Sequence, residues 1–353
     1  MGLGGMQIDQ HVSTSCRSPQ PVAPCPLTLT YNASIRLTGN NEGAMELVRG
    51  LHNVRPQHRG CVLTIGAFDG VHRGHQEMFR VLRERALQHG LPAAVLSFEP
   101  TPREFFAKGT PPARLTRLRE KVEALRSYGI DRFICLRFDE HMRAMSQEKF
   151  VEEVLVAALG VRHIVVGHDF RFARDHDGSV ATLRAYGPRC DFAVTEVPPF
   201  EVEGERVSSS LIREALDAGD MQRARKFLGR PYRMTGKVIH GAKLGRTLGY
   251  PTANLRLHRR ATPVAGVFAV RVSGCGLNRV AGVASLGTRP AVNGKELLLE
   301  AHIFDFNADL YRRYLHVDFI ERLRDELSFP NLNALVGQIH KDAARAREIL
   351  AIH

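Results

Sequence analysis

Residues 61–75 read Cys-Val-Leu-Thr-Ile-Gly-Ala-Phe-Asp-Gly-Val-His-Arg-Gly-His, and no other stretch constrains the fold as much. Its first five residues are apolar and β-branched enough to form a buried strand. Gly66 and Gly70 then permit a turn, and an amphipathic helix is predicted over 74–88 with Met78, Leu82 and Ala86 on one face. A strand that turns through glycines into a helix is the unit of an α/β sheet, and the helix N-terminus offers free N–H groups to a phosphate. Asp69, His72 and His75 fall at this junction, where open α/β sheets keep their chemistry. The plainer alternative is a tight turn with exposed side chains. Neither G-x-G-x-x-G nor Walker A spacing occurs here.

The alternation continues downstream. Ala93–Phe98 reads as a buried strand, Thr116–Ser127 as a helix, Arg132–Leu136 as a strand, Gln147–Leu159 as a helix and His163–Val166 as a strand. Right-handed crossovers would put the strand C-terminal ends on one rim of a mainly parallel sheet covered by helices. That rim would collect Gly66–His75, Ser97–Pro102 and the run Gly167-His168-Asp169-Phe170-Arg171-Phe172. The last run reads equally as a charged turn whose phenylalanines return to the core. Ser208, Ser209 and Ser210 precede Leu211-Ile212-Arg213-Glu214, and each of the three serines can cap a helix there. Such a start places Arg213 near the first turn, where a cation opposes the helix dipole; a bound phosphate would relieve the conflict.

A short helix over Asp220–Leu228 is expected to close the first unit. The periodicity changes at Gly229-Arg230-Pro231, so the domains are expected to span 45–229 and 230–353. Residues 230–260 hold eight Lys or Arg and no acidic residue. Met234–Ile239, Val267–Val272, Arg279–Ser285 and Leu297–Phe304 read as strands and Asn333–Ile349 as a terminal helix, which predicts a small β-barrel or closed sheet. In the basic region Gly241, Gly245 and Gly249 recur at every fourth position around Lys243 and Arg246, a poor helix but a loop suited to wrapping phosphates. Pro251, Thr252 and Asn254 follow; the last two bring uncharged oxygens of the kind Mg²⁺ accepts when phosphates supply the charge. Glu300 follows Leu297-Leu298-Leu299, where a carboxylate is costly unless paired or used, and a glutamate beside a nucleotide could take a proton from a substrate hydroxyl. A salt-bridged glutamate at a strand end is the alternative.

A chain of 353 residues, 44% hydrophobic and 24% charged, can bury a core in each of two domains. No apolar run approaches the roughly 18 residues that span a bilayer, and neither a transmembrane helix nor a secretory signal is expected. Residues 1–44, rich in Gly, Pro, Ser, Thr and Asn, are expected to be a disordered leader, with Met45 a candidate natural start. Cys16, Cys25, Cys61, Cys135, Cys190 and Cys275 form no C-x-x-C pair, which points to a reducing, cytoplasmic setting and to neither a disulfide framework nor a zinc site. The net charge of +12 suits small anionic substrates as well as nucleic acid. Without a helix-turn-helix, zinc-finger spacing or basic-aromatic repeat, no nucleic-acid partner is expected, nor a membrane one; the oligomeric state is left open.

Taken together, Gly66-Ala67-Phe68-Asp69-Gly70-Val71-His72-Arg73-Gly74-His75, Val166–Phe172, Ser208-Ser209-Ser210-Leu211-Ile212-Arg213 and Gly249-Tyr250-Pro251-Thr252-Ala253-Asn254 resemble the bacterial bifunctional riboflavin kinase and FMN adenylyltransferase (FAD synthetase) family, from about Met45 to about Arg347. The resemblance implies a Rossmann-like nucleotidyltransferase domain followed by a six-stranded flavokinase β-barrel with a C-terminal helix. It also implies two reactions: Mg²⁺- and ATP-dependent phosphorylation of riboflavin to FMN, then transfer of AMP from ATP to FMN, giving FAD and pyrophosphate. His72 and His75 match the family's H-x-G-H histidines, with Gly66, Phe68, Asp69 and Gly74 in the same motif; Ser208–Ser210 and Arg213 match a segment that closes on the phosphates, and Asp169 and Phe170 a loop that shapes the nucleotide and flavin pocket. Gly241, Lys243, Gly245, Arg246, Gly249 and Pro251 fall in the matching kinase nucleotide loop. Thr252 and Asn254 match the Mg·ATP residues, Glu300 the general base, and Arg322 and Glu326 the flavin side. The chain departs from the common pattern at Ala67, His168, Ser285, Leu327 and Ser328. Competing expectations are a protein with one active module, or a flavin- or nucleotide-dependent regulator that binds RNA or protein through the basic patch.

Overall fold

The structure, a computed structural model, describes residues 45–241, 248–291 and 294–351. Its first half is built on six parallel strands, β1 (Glu46–Arg49), β2 (Cys61–Ile65), β3 (Ala93–Glu99), β4 (Arg132–Arg137), β5 (Val161–Gly167) and β6 (Ala193–Val197), in the order β1-β4-β3-β2-β5-β6. The central strands are mostly apolar because helices cover both faces. Leu63, Ala94, Leu96, Ile134 and Ile164 pack to one side, and Val62, Val95, Phe133 and Val165 to the other. Strands β1 and β6 went unread in the sequence. They are the sheet edges, only partly buried, and carry no apolar run.

Helix α1 (Arg73–His89) follows β2 and stops at Gly90, which takes φ +62°. Its buried stripe is Phe79, Leu82 and Ala86; Met78 sits at the margin, where its sulfur receives the Thr64 hydroxyl at 3.1 Å. The helix expected over 147–159 is α-helical only at Gln147–Lys149 and continues as a wider π-type helix over Phe150–Ala158. The chain proceeds from β2 outward through β3 and β4 on one side and places β5 on the other. The gap between the ends of β2 and β5 is therefore the point where strand order reverses, the location at which such sheets open a crevice for ligands.

The second half is a closed antiparallel barrel of β7 (Tyr232–Ile239), β8 (Ala253–Arg256), β9 (Gly266–Gly274), β10 (Leu277–Ala291), β11 (Gly294–Ile303) and β12 (Tyr314–Arg324), in the order β7-β8-β11-β10-β9-β12. Strand β8 was hidden by the Gly and Pro before it, and β12 by the charges along it. A terminal helix over Leu332–Ala351 lays Ala343, Ala346, Ile349 and Leu350 against the barrel's Ala269 and Phe304. The halves share a core. Ile212 and Leu216 of α3 (Ser209–Asp217) and Phe227 of α4 (Met221–Leu228) join Tyr232, Leu255, Phe268 and Phe319 in one buried cluster. None of the described helices is long and apolar enough to cross a membrane.

Candidate active sites

The turn between β2 and α1 is strained. Phe68 takes φ +48° and Val71 +46°, conformations unfavourable for a bulky and a β-branched residue. Contacts from several distant residues hold it. Gly70 N–H donates to Thr116 Oγ1 (3.0 Å), Ser209 Oγ to the Asp69 carbonyl (2.9 Å), Arg230 to the Gly70 carbonyl (2.8 Å) and Gln76 to the Val71 carbonyl (2.9 Å). His72 caps α1, its Nδ1 accepting the His75 N–H at 3.4 Å. An accepting Nδ1 leaves the proton of the neutral ring on Nε2.

The two imidazoles stack with centroids 3.5 Å apart and planes 19° from parallel. Gly74 makes room for this, since a Cβ there would lie 3.3 Å from the His72 ring, and Gly66 likewise faces the Phe68 ring, 3.0 Å from where its Cβ would be. Phe68 in turn stands edge-on to His75 at 5.2 Å. Burial pushes His72 down to about 4 and holds His75 well below its ordinary 6.5, so both rings are neutral near pH 7. His75 Nδ1 is buried with no hydrogen-bond partner among the described residues. An orphaned ring nitrogen at a helix start is a position for a ligand to satisfy.

Asp69 is fully engaged. Its Oδ1 accepts from Thr116 N–H (2.8 Å) and Oγ1 (3.2 Å), and its Oδ2 from Leu115 N–H (3.1 Å) and the Arg213 guanidinium. Arg213 Nε also donates to the Ala113 carbonyl at 2.6 Å. The carboxylate of Asp69 thus answers the charge of Arg213 against its helix dipole, a conflict that the sequence reading assigned to a bound phosphate. Of the three serines, Ser208 is the cap, accepting the Leu211 N–H at 3.2 Å; Ser209 ties α3 to the turn and Ser210 is exposed. Sequence reasoning missed Lys121, whose ammonium is buried 3.4 Å from Ser97 Oγ and whose charge acts on His75. Its signal was its place on the inner face of α2 (Leu118–Ser127), next to Val122.

Asp169 and Phe170 follow β5, across the switch point from His72. Asp169 is exposed and paired with Arg206, and His168 Nδ1 lies 2.6 Å from Glu196 Oε1. Phe172 returns to the core, packing on Phe150, whereas Phe170 is half-buried and stacks on Phe172 at 5.7 Å.

In the barrel, Asn254 on β8 stands directly opposite Glu300 on β11, and Glu300 directly opposite Ser285 on β10. Directly paired residues share a face. Leu255, Leu299, Ala284 and Ala301 point into the barrel core, so the row Asn254-Glu300-Ser285 lies on its outer face. Glu300 is therefore mid-strand and not at a strand end, since β11 runs on to Ile303. Gly241 closes on this row, because a Cβ there would lie 2.5 Å from the Asn254 amide group. Gly249 takes φ +82°, the Pro251 carbonyl lies 2.9 Å from His302 Nδ1, and the Thr252 carbonyl lies 3.5 Å from Asn254 Nδ2. Lys243, Gly245 and Arg246 are outside the described residues, as are residues 1–44. Glu326 lies over Gly287, two residues along β10 from Ser285. Arg322 pairs with Asp325 and crosses Gly219, just after α3.

Comparison with known proteins agrees with this two-part architecture. Residues 54–211 match the family model described as FAD synthetase, and residues 228–350 the one described as riboflavin kinase. Over 308 residues the chain is 48% identical to a bifunctional riboflavin kinase/FMN adenylyltransferase of Pseudomonas fluorescens, an alignment covering 87% of this chain and 98% of that one. The corresponding protein of Escherichia coli K12 is 43% identical over 309 residues, 87% of this chain and 99% of that one. A crystal structure described as a macrolide-efflux protein from Streptococcus pneumoniae superposes with a TM-score of 0.74 at 32% identity, covering 85% of this chain and 98% of that one. Two family matches in tandem and relatives aligned over nearly their whole length lead to one conclusion: the chain belongs to the bifunctional riboflavin kinase/FMN adenylyltransferase (FAD synthetase) family.

Proposed function

We propose that the chain makes FAD in two steps, phosphorylating riboflavin with ATP in the barrel and adenylylating the resulting FMN at the turn after β2. In the second step a phosphate oxygen of FMN attacks the α-phosphorus of ATP and pyrophosphate leaves, so the protein needs no nucleophile of its own. Its task is to orient the two phosphates and to stabilise charge on the phosphoryl oxygens. The observation that carries this reading is the pair His72 and His75, stacked, neutral and set at a helix N-terminus beside the switch point. With Nδ1 occupied by the cap, His72 can donate from Nε2 to a phosphoryl oxygen. Arg213, fixed by Asp69, supplies the permanent positive charge beside the phosphates, and Gly66, Gly74 and Ser208–Ser210 let backbone and hydroxyl donors approach them. Asp169 and Phe170 border the same crevice and shape its nucleotide and flavin side.

In the barrel, Glu300 takes the proton from the riboflavin hydroxyl as that oxygen attacks the γ-phosphorus of ATP, and ADP leaves as the bond from the γ-phosphorus to its bridging oxygen breaks. Its neighbour Asn254, with Thr252, offers uncharged oxygens, and Gly241 leaves them space. No group of three or more His, Cys, Asp or Glu among the described residues could hold a metal. The uncharged oxygens of Thr252 and Asn254 fit Mg²⁺ brought by ATP, and these two residues would hold it. When bound, the ion neutralises phosphate charge. Gly249 and Pro251 belong to the same nucleotide loop, Glu326 to the flavin side, and Lys243, Gly245 and Arg246 extend the loop.

We further place the division between the two functions near residue 229 and the protein in the cytoplasm. Burial of Cys61 and Cys135, which lifts their thiols to about 12 and about 11, keeps these cysteines unreactive and agrees with a reducing setting. Chromatographic separation of flavins tests the site assignments. His72→Ala with His75→Ala should form FMN from riboflavin but no FAD, and Glu300→Ala should convert supplied FMN to FAD but leave riboflavin untouched. Equal loss of both activities in either protein would contradict the assignment.

A further inference from the structure

The barrel reaches into the turn that holds Asp69. Arg259, in the segment after β8, has a side chain only 2% exposed and donates from Nη1 to the Arg114 carbonyl at 2.5 Å, and from Nη2 to the Leu115 carbonyl at 3.4 Å and to the Glu120 carboxylate. Glu120 is itself 6% exposed and accepts further from the N–H of Arg117 (2.6 Å) and from the N–H of Thr235 on β7 (2.8 Å). A buried pair of this kind is fixed in one geometry, because neither charge can leave without abandoning the other.

The carbonyls of Arg114 and Leu115 belong to the same two peptide units as the N–H groups of Leu115 and Thr116. Those N–H groups donate to Asp69, at 3.1 and 2.8 Å. Arg259 and Asp69 therefore grip opposite ends of the same two peptide dipoles. A guanidinium at the carbonyl end polarises each unit and strengthens its N–H as a donor at the other. Asp69 in turn fixes Arg213. We infer that Arg259 is a positioning residue for adenylyl transfer, holding Asp69 and Arg213 in place through peptide units 114–115 and 115–116, so that a residue of the kinase barrel completes the transferase site.

This inference rests on the assignment of Asp69 and Arg213 to the adenylyl-transfer site, and its test separates the two. Steady-state rates of FMN-to-FAD and riboflavin-to-FMN conversion are measured on the full chain for Arg259→Lys, Asp69→Asn and the double variant. Arg259→Lys keeps the charge beside Glu120 but loses the fork that spans two carbonyls. The expected result is a fall of about tenfold in kcat for adenylyl transfer, with KM values changed less than about threefold and the kinase rate within about twofold of wild type. In the Asp69→Asn background, Arg259→Lys should add less than about a twofold effect, because the route it acts through is already broken. Adenylyl transfer unchanged in Arg259→Lys would overturn the inference while leaving the site assignment standing. So would a full, multiplicative effect in the double variant, or both activities falling together. Adenylyl transfer unchanged in Asp69→Asn alone would overturn the site assignment and the inference with it.

Discussion

Asn254 and Glu300 face each other across β8 and β11, a ladder pair that puts an amide and a carboxylate on one outer face of the barrel. This pairing joins the proposed metal-holding amide to the proposed base through sheet register alone. Glu300→Gln keeps the shape and removes the proton acceptor. We expect riboflavin phosphorylation to fall by about 10²- to 10⁴-fold, with adenylylation of supplied FMN within about twofold of wild type. Initial rates of the two conversions, measured separately, check this.

Gly241 tests the same row from its other side. A methyl group there would lie 2.5 Å from the Asn254 amide, closer than atoms tolerate, so Gly241→Ala must displace Asn254 or the segment before the nucleotide loop. Kinase kcat/KM for ATP is expected to fall by at least about tenfold while adenylyl transfer is retained. Varying ATP in both assays reads the difference.

Arg213 reaches both the Ala113 carbonyl and Asp69 with one fork. A lysine cannot serve both and also face a phosphate. Arg213→Lys is expected to lower kcat/KM for FAD formation by about 10²-fold and to spare FMN formation. The measurement is FAD production from saturating FMN at varied ATP.

The neutral histidines give the fold a pH signature. Burial lowers His72 to about 4 in the folded chain from an ordinary 6.5, and His163, against His89 and Thr195, is lowered to about 4 as well. Between these values the unfolded chain binds protons that the folded chain refuses. The contribution is therefore intact above pH 6.5 and lost progressively as the pH falls toward 4, on the order of 2–3 kcal/mol for His72. Denaturant unfolding at pH 7.5 and pH 4.5 should show this loss, and His72→Gln should make the difference between the two pH values smaller. A steeper dependence in the variant would contradict the burial argument.

Much of this was legible in the sequence because the signals were local. Cys61–His75 carries its strand, glycines and histidines within one turn of chain, and the central strands announce themselves as apolar runs buried on both faces. What escaped was set by tertiary neighbours. Edge strands β1 and β6 are half-exposed and lack an apolar run, and the π-type turns of 150–158 have the same amphipathic pattern as an α-helix. The partner of Arg213 lies 144 positions away, and the contact of Arg259 with Glu120 spans 139 positions; nothing in either local sequence selects the other residue. The contact of the Arg322 side chain with Gly219 is likewise a neighbour that only the shared core of the two halves creates.

The central claim is that one chain carries two separable sites that act in succession through FMN. Mixing the His72→Ala/His75→Ala protein with the Glu300→Ala protein, in riboflavin, ATP and Mg²⁺, tests it most directly, with products followed by chromatography. The account predicts that neither protein alone forms FAD, while the mixture accumulates FMN first and then converts it to FAD. FAD formed from riboflavin by either variant alone, or a mixture in which supplied FMN is also left unconverted, would contradict it.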